Sequence, residues 1–400
     1  MSYKHLLYCF LSLFFSPMLY GQEPICGLDW LQERSDGTFI QQKLEASNLL
    51  DAFVNSHKGQ IMPRAEIVIP VVVHVVWHSP EENVRDEVII GQMNALNRDF
   101  NGENEDLYKV PNEFKPFVAQ QGIRFCLASE NPEGLPASGI VRKRTDVEAI
   151  GTTPELYSSA MGGSDAWDTN KFLNIWVANV GQYITGFGTY AGLVSAEKQG
   201  IVVHPKYFGK NISTRYNLGR VAVHEIGHFL GLNHTWGEDG ACETDDSVED
   251  TPRQQHYYAG CPAYPQESCG SSNMFMNFMD YVDDGCMYMF SQGQMKRMLA
   301  TLELFRPGLM QSEIPCVDIT TKRTEVNFLI YPNPASSQIS IDFPVPVAEA
   351  GNVQIFSALG GMLLQYNGVL RNNMTIALPP FSAGIYWIRI GARTHKLIIE

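Results

Sequence analysis

The residues best suited to chemistry in this chain are three histidines and a glutamate between His224 and His234. His224 and His228 are four positions apart, so on a helix both rings lie on one face and can bind one metal ion. Gly231 can adopt a positive φ, which lets the helix end and the chain return His234 to the same ion. Three neutral imidazoles leave a fourth zinc position open for water, as in catalytic sites. Glu225, beside the first ligand, is placed to take that water's proton.

The alternative interpretation of this stretch is an ordinary helix. A bare His-Glu-x-x-His pattern occurs by chance as two surface histidines that flank a solvated glutamate. The added Gly231 and His234 weaken this alternative, since a chance helix has no reason to end at a third ligand. The sequence therefore predicts a catalytic zinc site.

A second motif follows the zinc-binding stretch and ends in Met279-Asp280-Tyr281. Together the two motifs resemble those of the metzincin metallopeptidases, in which a methionine turn forms an apolar floor beneath the zinc, and Met279 is the candidate. Taken alone, Met279 would be an ordinary core methionine. Four further sequence matches narrow the resemblance to one metzincin family, the pappalysins. These matches are Leu218-Gly219-Arg220, His234-Thr235-Trp236, Asp250-Thr251-Pro252 and Met279-Asp280-Tyr281 leading to Cys286.

The resemblance implies two further site residues. In pappalysins the tyrosine after the methionine turn, here Tyr281, stabilises the tetrahedral intermediate, and a phenol can donate to a developing oxyanion. Pappalysins of the ulilysin type prefer arginine or lysine just after the cut bond, and Asp284 matches the aspartate that holds this side chain. Asp283 is an adjacent rival for that role. The alternatives are a tyrosine that fills core space and a solvated acidic turn.

The run from Asp245 to Thr251 carries four carboxylates within six residues. It does not match an EF-hand loop, which needs a different rhythm of oxygens and a central glycine. Related pappalysins bind calcium in this loop, and the resemblance implies Asp246 and Thr251 as ligands. The alternative is a solvated acidic loop without an ion.

Length and charge indicate an exported protein of several parts. Four hundred residues exceed the usual size of one core, so two or three domains are expected. A net charge of −14 argues against nucleic-acid binding. The apolar run from Leu6 to Leu19 predicts a signal peptide over residues 1–21, with an uncleaved membrane anchor as the alternative. No other segment is apolar enough to form a stable span.

Export permits disulfides, and seven cysteines remain once Cys9 leaves with the signal peptide. The odd number leaves one thiol without an intramolecular partner. The resemblance implies two disulfides, Cys242–Cys269 and Cys261–Cys286. Cys126 and Cys316 can form a third pair, which would single out Cys26, but Cys26 can equally pair with Cys316.

Residues 22–64 are expected to form a propeptide that contains Cys26. A thiolate on the open zinc position would exclude the catalytic water and keep a zymogen latent, as in cysteine-switch proteins. Asp29 or another acid could serve instead. If basic residues are preferred after the cut, autolysis before Arg64 would release the propeptide, although cleavage after Arg64 or near Lys58 is also open.

The expected fold class is α+β, with a metzincin catalytic domain over residues 65–316. The resemblance implies a twisted mixed sheet, the zinc helix and a loop-rich lower half stapled by disulfides. Apolar runs predict strands at Ile67–Trp77, Ile123–Leu127, Phe172–Val177 and Ile201–Val203. Helices are expected from Val84 to Phe100, from near Thr214 through the zinc motif, and from Ser291 to about Leu302, with Gln294 completing a capping box.

A linker is expected at 317–328, and residues 329–400 predict a small all-β sandwich of the immunoglobulin type. Its expected strands are Gln338–Phe343, Asn352–Phe356, Met374–Leu378 and Ile385–Ile390. The segment resembles the C-terminal sorting domain of type IX secretion cargo. That resemblance implies contact with the secretion machinery, export through the periplasm of a Gram-negative bacterium, and a secreted or cell-surface location. An unrelated binding module is the alternative.

The sequence thus predicts a secreted zinc endopeptidase that acts on proteins or peptides and is made as a zymogen. The alternative from another class is a surface adhesin or binding protein on a disabled metzincin scaffold. The presence of Glu225 and Tyr281 argues against that alternative, since a decayed enzyme usually loses its base first.

Overall fold

The computed structural model describes most of the chain, namely residues 25–28, 38–57, 66–120, 122–190, 192–211, 213, 215–237, 242–317, 328–343, 350–358, 360–370, 374–390 and 393–400. The expected signal peptide, Asp29, the cleavage sites near Lys58 and Arg64, Thr214 and most of the linker lie outside these residues.

One mixed sheet organises the N-terminal three quarters of the chain. Its strands are β1 Ile25–Cys26, β2 Ile67–Trp77, β3 Ile123–Ala128, β4 Ile140–Arg144, β5 Leu173–Ala178, β6 Ile184–Gly188, β7 Ile201–Val203 and, further along the chain, β10 Cys316–Val317. The spatial order is β1-β6-β7-β5-β2-β3-β10, with β4 also paired to β2. Strands β2, β3, β4, β5 and β7 are parallel, whereas β6 is antiparallel to β7. The chain has the predicted α+β fold, with a mixed sheet of the metzincin kind.

The central strand is β2 because its sequence is apolar on both faces. Val71 and Val73 belong to the main core, while Val72 and Val76 pack into clusters on the other face. A strand that is covered on both faces has a continuous run of apolar residues. The sequence of β2 has such a run, and the strand was predicted from it. The other three predicted strands also form, each within one residue of the expected bounds.

Strands β4 and β6 were not predicted. None of the five residues of β4 is fully buried, and three of them are basic. All five residues of β6 are buried, but two are glycines. The basic residues of β4 and the glycines of β6 conceal the alternation of apolar and polar residues by which a strand is identified from sequence.

The helices are α1 Thr38–Ser56, α2 Asp86–Phe100, α3 Arg220–Phe229, α4 Gln292–Phe305 and α5 Pro307–Met310. The capping box expected at the start of α4 is present: Ser291 Oγ accepts from Gln294 N at 3.0 Å, and Gln294 Oε1 accepts from Ser291 N at 2.9 Å. Helix α1 was not predicted. Within the residues described, no helix is both long and apolar enough to cross a bilayer.

The expected start of the zinc helix near Thr214 was wrong, since α3 begins at Arg220. Leu218 forms an isolated bridge with Lys210, and Gly219 has a φ of 82°, so the chain turns sharply just before the helix. A side chain at Gly219 would also meet Gln92 at 3.0 Å. The sharp turn, which apolar spacing does not reveal, shortens the helix to little more than the zinc motif.

Three disulfides stabilise the catalytic half, and they are Cys126–Cys316, Cys242–Cys269 and Cys261–Cys286. The last two are the pairs that the resemblance implied, and both lie in the loop-rich part between α3 and α4. The first joins β3 to β10 across 190 residues of sequence. A link of this length removes much conformational entropy from the unfolded chain.

The C-terminal part is all β and antiparallel. The catalytic half also contains a short hairpin, β8 Glu267–Ser268 and β9 Ser271–Ser272. The strands of the C-terminal part are β11 Leu329–Tyr331, β12 Gln338–Asp342, β13 Ala350–Ser357, β14 Met362–Val369, β15 Met374–Ala377, β16 Gly384–Ile390 and β17 Arg393–Ile399. Two sheets, β11-β12-β15 and β14-β13-β16-β17, share one apolar core that includes Ile339, Val353 and Ile388. Strand β14 was missed because none of its residues from Met362 to Tyr366 is buried.

Candidate active site

Helix α3 and the turn that follows it bring the three predicted histidines together. His228 Nε2 lies 3.0 Å from His224 Nε2 and 3.1 Å from His234 Nε2. Gly231, at a φ of 85°, makes the turn that returns the chain to the site. Three ring nitrogens that converge at these distances leave room for one shared cation between them.

The outer nitrogens of two of these rings are held by backbone carbonyls. His224 Nδ1 lies 2.8 Å from Phe278 O, and His228 Nδ1 lies 2.9 Å from Leu232 O. A carbonyl can only accept, so each Nδ1 carries the proton and each Nε2 lone pair points inward. This is the tautomer that a metal ligand needs.

The three histidines are neutral at neutral pH. Burial lowers the pKa of His224 to about 4 and holds the pKa values of His228 and His234 well below their usual range. Zinc binds the neutral form of imidazole, so the donor set fits this ion. Among the described residues, one group of side chains could hold a metal ion, and it consists of Cys26 and the three histidines. The possible ligand atoms of these four residues lie within 4.8 Å of one another.

Glu225 lies beside this group with 1% of its surface exposed. Its Oε2 accepts from Cys26 Sγ at 3.5 Å. Strand β6 can approach the helix here because it carries glycines: a side chain at Gly188 would collide with the Glu225 carbonyl oxygen. The unpredicted glycines of β6 therefore form one wall of the cleft, directly against the candidate base.

Met279 lies beneath the site and is fully buried. A Cβ at Gly227 would collide with the Met279 sulfur, so a glycine on α3 is required for this contact. Sequence reasoning did not single out Gly227. Its position on the helix face opposite the glutamate, one residue before His228, is the signal that could have identified it.

Aromatic rings surround the histidines on one side. The Tyr281 ring centroid lies 4.9 Å from that of His234 and 5.7 Å from that of His224. The Trp236 ring stacks on His234 with a centroid distance of 4.3 Å and an interplanar angle of 9°. Tyr281 is thus next to the candidate metal ligands His224 and His234, where a phenol could reach a reacting group.

Asp280 is a site residue that sequence reasoning did not identify. It is buried and accepts hydrogen bonds from Tyr281 N at 2.7 Å, Tyr258 N at 2.8 Å, Gln254 Nε2 at 2.5 Å and Thr235 Oγ1 at 3.2 Å. Burial raises its pKa to about 7. Asp280 joins the loop after the third histidine to the methionine turn and so fixes Tyr281 relative to the ligands.

The two adjacent aspartates differ in environment. Asp283 Oδ1 accepts from Arg215 Nε at 2.7 Å. Asp284 is fully buried, and its Oδ2 accepts from Leu218 N at 2.7 Å and Arg220 N at 3.2 Å. Its Oδ1 has no hydrogen-bond partner, and burial raises the pKa of Asp284 to about 6. Asp284 lines a pocket whose walls include Thr185, Tyr216, Val221, His224, Glu225 and Met287, and Cys26 and Tyr281 line the same pocket.

Asp246 and Thr251 contact each other but lie outside the histidine group. Thr251 Oγ1 is 2.7 Å and 2.8 Å from the two Asp246 carboxylate oxygens, and burial raises the pKa of Asp246 to about 8. Two other carboxylates of this run have partners elsewhere: Asp245 forms an ion pair with Arg253, and Asp250 accepts hydrogen bonds at the start of α4.

The N-terminal segment, residues 25–28 and 38–57, contacts the catalytic half at two places. In the cleft, β1 pairs in parallel with β6, and Gly27 N donates to Gly186 O at 2.6 Å. Outside the cleft, α1 packs against α4, where Asp51 forms an ion pair with Arg297.

Comparisons with known proteins agree with this geometry. Residues 157–303 match the peptidase family described as pregnancy-associated plasma protein-A, and residues 329–400 match the secretion system C-terminal sorting domain. An extracellular metalloprotease of Arthroderma benhamiae is 30% identical over 253 residues, which are 61% of this chain and 80% of that protein.

Two solved structures from Tannerella forsythia are also similar. Mature mirolysin in complex with a cleaved peptide is 35% identical with a TM-score of 0.58, over 62% of this chain and 99% of that one. A promirolysin mutant is 34% identical with a TM-score of 0.64, over 72% of this chain and 97% of that one. The second alignment covers more of this chain than the first.

Proposed function

The chain belongs to the pregnancy-associated plasma protein-A family, the pappalysins, and is a secreted zinc metalloendopeptidase; from this premise we propose that it cuts before arginine or lysine and is made as a latent zymogen. The observation that carries the activity is the convergence of three buried, inward-facing histidine nitrogens beside Glu225. The sorting domain supports export by the type IX route, through the periplasm of a Gram-negative bacterium.

Each catalytic role follows from position. His224, His228 and His234 would hold the zinc, and the bound ion would supply the Lewis acidity that polarises a scissile carbonyl and makes a water more acidic. Glu225 takes the proton of the attacking water on its carboxylate and later delivers a proton to the leaving amine. Tyr281 donates from its phenol to the oxyanion that develops on the carbonyl oxygen.

Glu225→Gln is the test of this mechanism, because the amide keeps the shape of the side chain and removes the base. We expect turnover of a peptide substrate to fall by roughly 10² to 10⁴-fold. Zinc content, measured by mass spectrometry, should stay at the wild-type level. The exposed Glu197→Gln is a matched control that should leave turnover unchanged. Equal turnover by wild type and Glu225→Gln would overturn the mechanism.

The preference for a basic residue after the cut is supported by the unpaired Oδ1 of Asp284. A buried carboxylate oxygen without a partner is costly, and a guanidinium or ammonium group would satisfy it. Asp283 is the weaker candidate because Arg215 already neutralises it. Asp284→Asn should reduce kcat/KM for an arginine peptide relative to its citrulline analogue, and Asp283→Asn should not. An unchanged ratio in Asp284→Asn would exclude this residue.

Latency is supported by the position of Cys26. Its sulfur lies within 4.8 Å of the histidine nitrogens, next to the candidate base, and none of the three disulfides includes it. A thiolate on the metal would occupy the position that water needs. Removal of the N-terminal segment would then open the site.

Calcium binding near Asp246 is proposed on the family resemblance and on the buried Asp246 carboxylate. A cation beside this group would offset the cost of burying its charge. Calcium should raise the thermal unfolding temperature of the wild type and have no effect on Asp246→Asn. Equal shifts in the two proteins would place any ion elsewhere.

A further inference from the structure

The cleft contains a small apolar cluster that is separate from the main core. Leu28 and Cys26 pack with Tyr190 and Tyr281, and half-buried Leu193 and Trp236 flank them. Leu28 has only 2% of its surface exposed. The leucine comes from the segment that maturation would remove, whereas the four surrounding side chains stay with the catalytic half.

This cluster shares Cys26 and Tyr281 with the Asp284 pocket, but its other side chains contact different histidines. Tyr190 Oη is 3.2 Å from His228 Nδ1, and Trp236 stacks on His234. The Asp284 pocket is instead bordered by His224 and Glu225. The cleft therefore has an acidic pocket beside His224 and an apolar pocket beside His228 and His234, and Tyr281 is common to both.

The N-terminal segment occupies the cleft as an added strand. Ile25 pairs with Ile184 and Cys26 with Gly186 along β6. An extended peptide that binds an enzyme uses the same kind of edge. A Cβ at Gly27 would lie 3.0 Å from the Gly186 carbonyl oxygen, so the segment fits closely against that edge. Leu28 follows Cys26 by two residues, where the chain leaves the strand and turns, and Leu28 N donates to Cys26 Sγ at 3.5 Å.

We propose that the pocket of Tyr190, Leu193, Trp236 and Tyr281 is a substrate subsite that takes a branched aliphatic side chain within the two residues before the cut bond. This inference rests on the proposed function. When the basic side chain after the cut enters the Asp284 pocket, the preceding residues extend toward His228 and His234. The walls are aromatic and aliphatic carbon, and Leu28 is the side chain that fills them in the unprocessed chain.

The test uses the matured protein and peptides that all carry arginine after the cut bond. The two preceding positions are varied in turn among leucine, alanine and aspartate. We expect leucine to exceed alanine by about 10- to 100-fold in kcat/KM at one of these positions, with aspartate poorest. Leu193→Ala should reduce the leucine-to-alanine ratio while leaving the arginine-to-citrulline ratio unchanged. Asp284→Asn should do the reverse.

The outcomes separate this inference from the proposed function. Glu225-dependent cleavage with a leucine-to-alanine ratio near one at both positions would overturn the subsite and leave the peptidase. An elevated ratio that Leu193→Ala does not change would also overturn this pocket. Absence of Glu225-dependent cleavage in every peptide would overturn the function and the subsite together.

Discussion

The N-terminal segment contacts the catalytic half in two ways that differ in character. In the cleft, Cys26 and Leu28 are almost completely buried and lie against the residues proposed for catalysis. On the outside, α1 buries only Lys43 and Leu50 among its described side chains.

Arg297 is the centre of the polar contacts between α1 and α4, and its Nη2 donates to Ser47 Oγ at 3.0 Å. Asp51 forms an ion pair with Arg297, and Arg297 Nε also donates to Gly231 O at 2.8 Å, in the turn that precedes the third histidine. Leu50 packs in the same region, since a Cβ at Gly231 would lie 3.0 Å from its methyl carbon. Under the proposed latency, the short cleft contact would block the chemistry, whereas the long helix would mainly keep the blocking residues nearby.

Loss of the blocking thiol is expected to have the largest effect. Cys26→Ala in the full-length chain should raise peptidase activity before any processing by roughly 10²-fold, because a tethered ligand competes at a high effective concentration. Activity is measured in the first minutes against a fluorogenic peptide, with chain length followed on a gel. Full latency in Cys26→Ala would show that another residue blocks the site.

A pH experiment sharpens the comparison, because Asp284 Oδ1 has no hydrogen-bond partner in the pocket that Cys26 also lines. Burial raises the pKa of Asp284 from 3.8 to about 6, so the folded protein binds this proton more tightly than the unfolded chain. The contribution of Asp284 to the free energy of unfolding should therefore fall as pH rises from about 4 to about 6, by on the order of 2–3 kcal/mol.

Thermal unfolding of full-length Glu225→Gln, with and without Asp284→Asn, measures this effect without autolysis. The added substitution should raise the unfolding temperature at pH 7 more than at pH 4. Asp283→Asn, which removes the ion pair with Arg215, should give no gain. A gain from Asp284→Asn that is independent of pH would contradict the assignment to its ionised form.

Leu28→Ala tests the apolar part of the cleft contact. Deleting a buried leucine side chain typically costs about 2–5 kcal/mol, although the segment can shift to recover part of it. In full-length Glu225→Gln, which cannot process itself, Cys26 should then react with iodoacetamide roughly ten times faster. The exposed Leu44→Ala on α1 is the matched control. Equal alkylation rates would remove Leu28 from the blocking contact.

The smallest effect is expected outside the cleft. Asp51→Asn weakens a partly exposed ion pair, which is worth about 1 kcal/mol or less, so processing should speed up by a few fold. The matured enzyme should be unaffected, because maturation removes Asp51. Exposed Asn48→Ala serves as the control. Slower processing in Asp51→Asn would contradict a tethering role for α1.

The sequence predicted the convergence of the three histidines because their spacing encodes local geometry. His224, His228 and Gly231 lie within one helix and its end, where helical periodicity determines which side chains meet. Asp280 could not be assigned a role in this way, since its four donors come from three separate loops. Helix α1 was missed because its outer face carries exposed apolar residues, such as Leu44 and Leu49, which blur the amphipathic pattern.

The most direct test of the account is cleavage of a peptide library by the matured protein. Mass spectrometry identifies the cut bonds with and without a zinc chelator. Matured Glu225→Gln and the unprocessed chain are measured in parallel. The account predicts chelator-sensitive cuts before arginine or lysine by the matured wild type, and almost none by the other two. Equal cleavage by matured Glu225→Gln, or cuts that persist in the chelator, would contradict it.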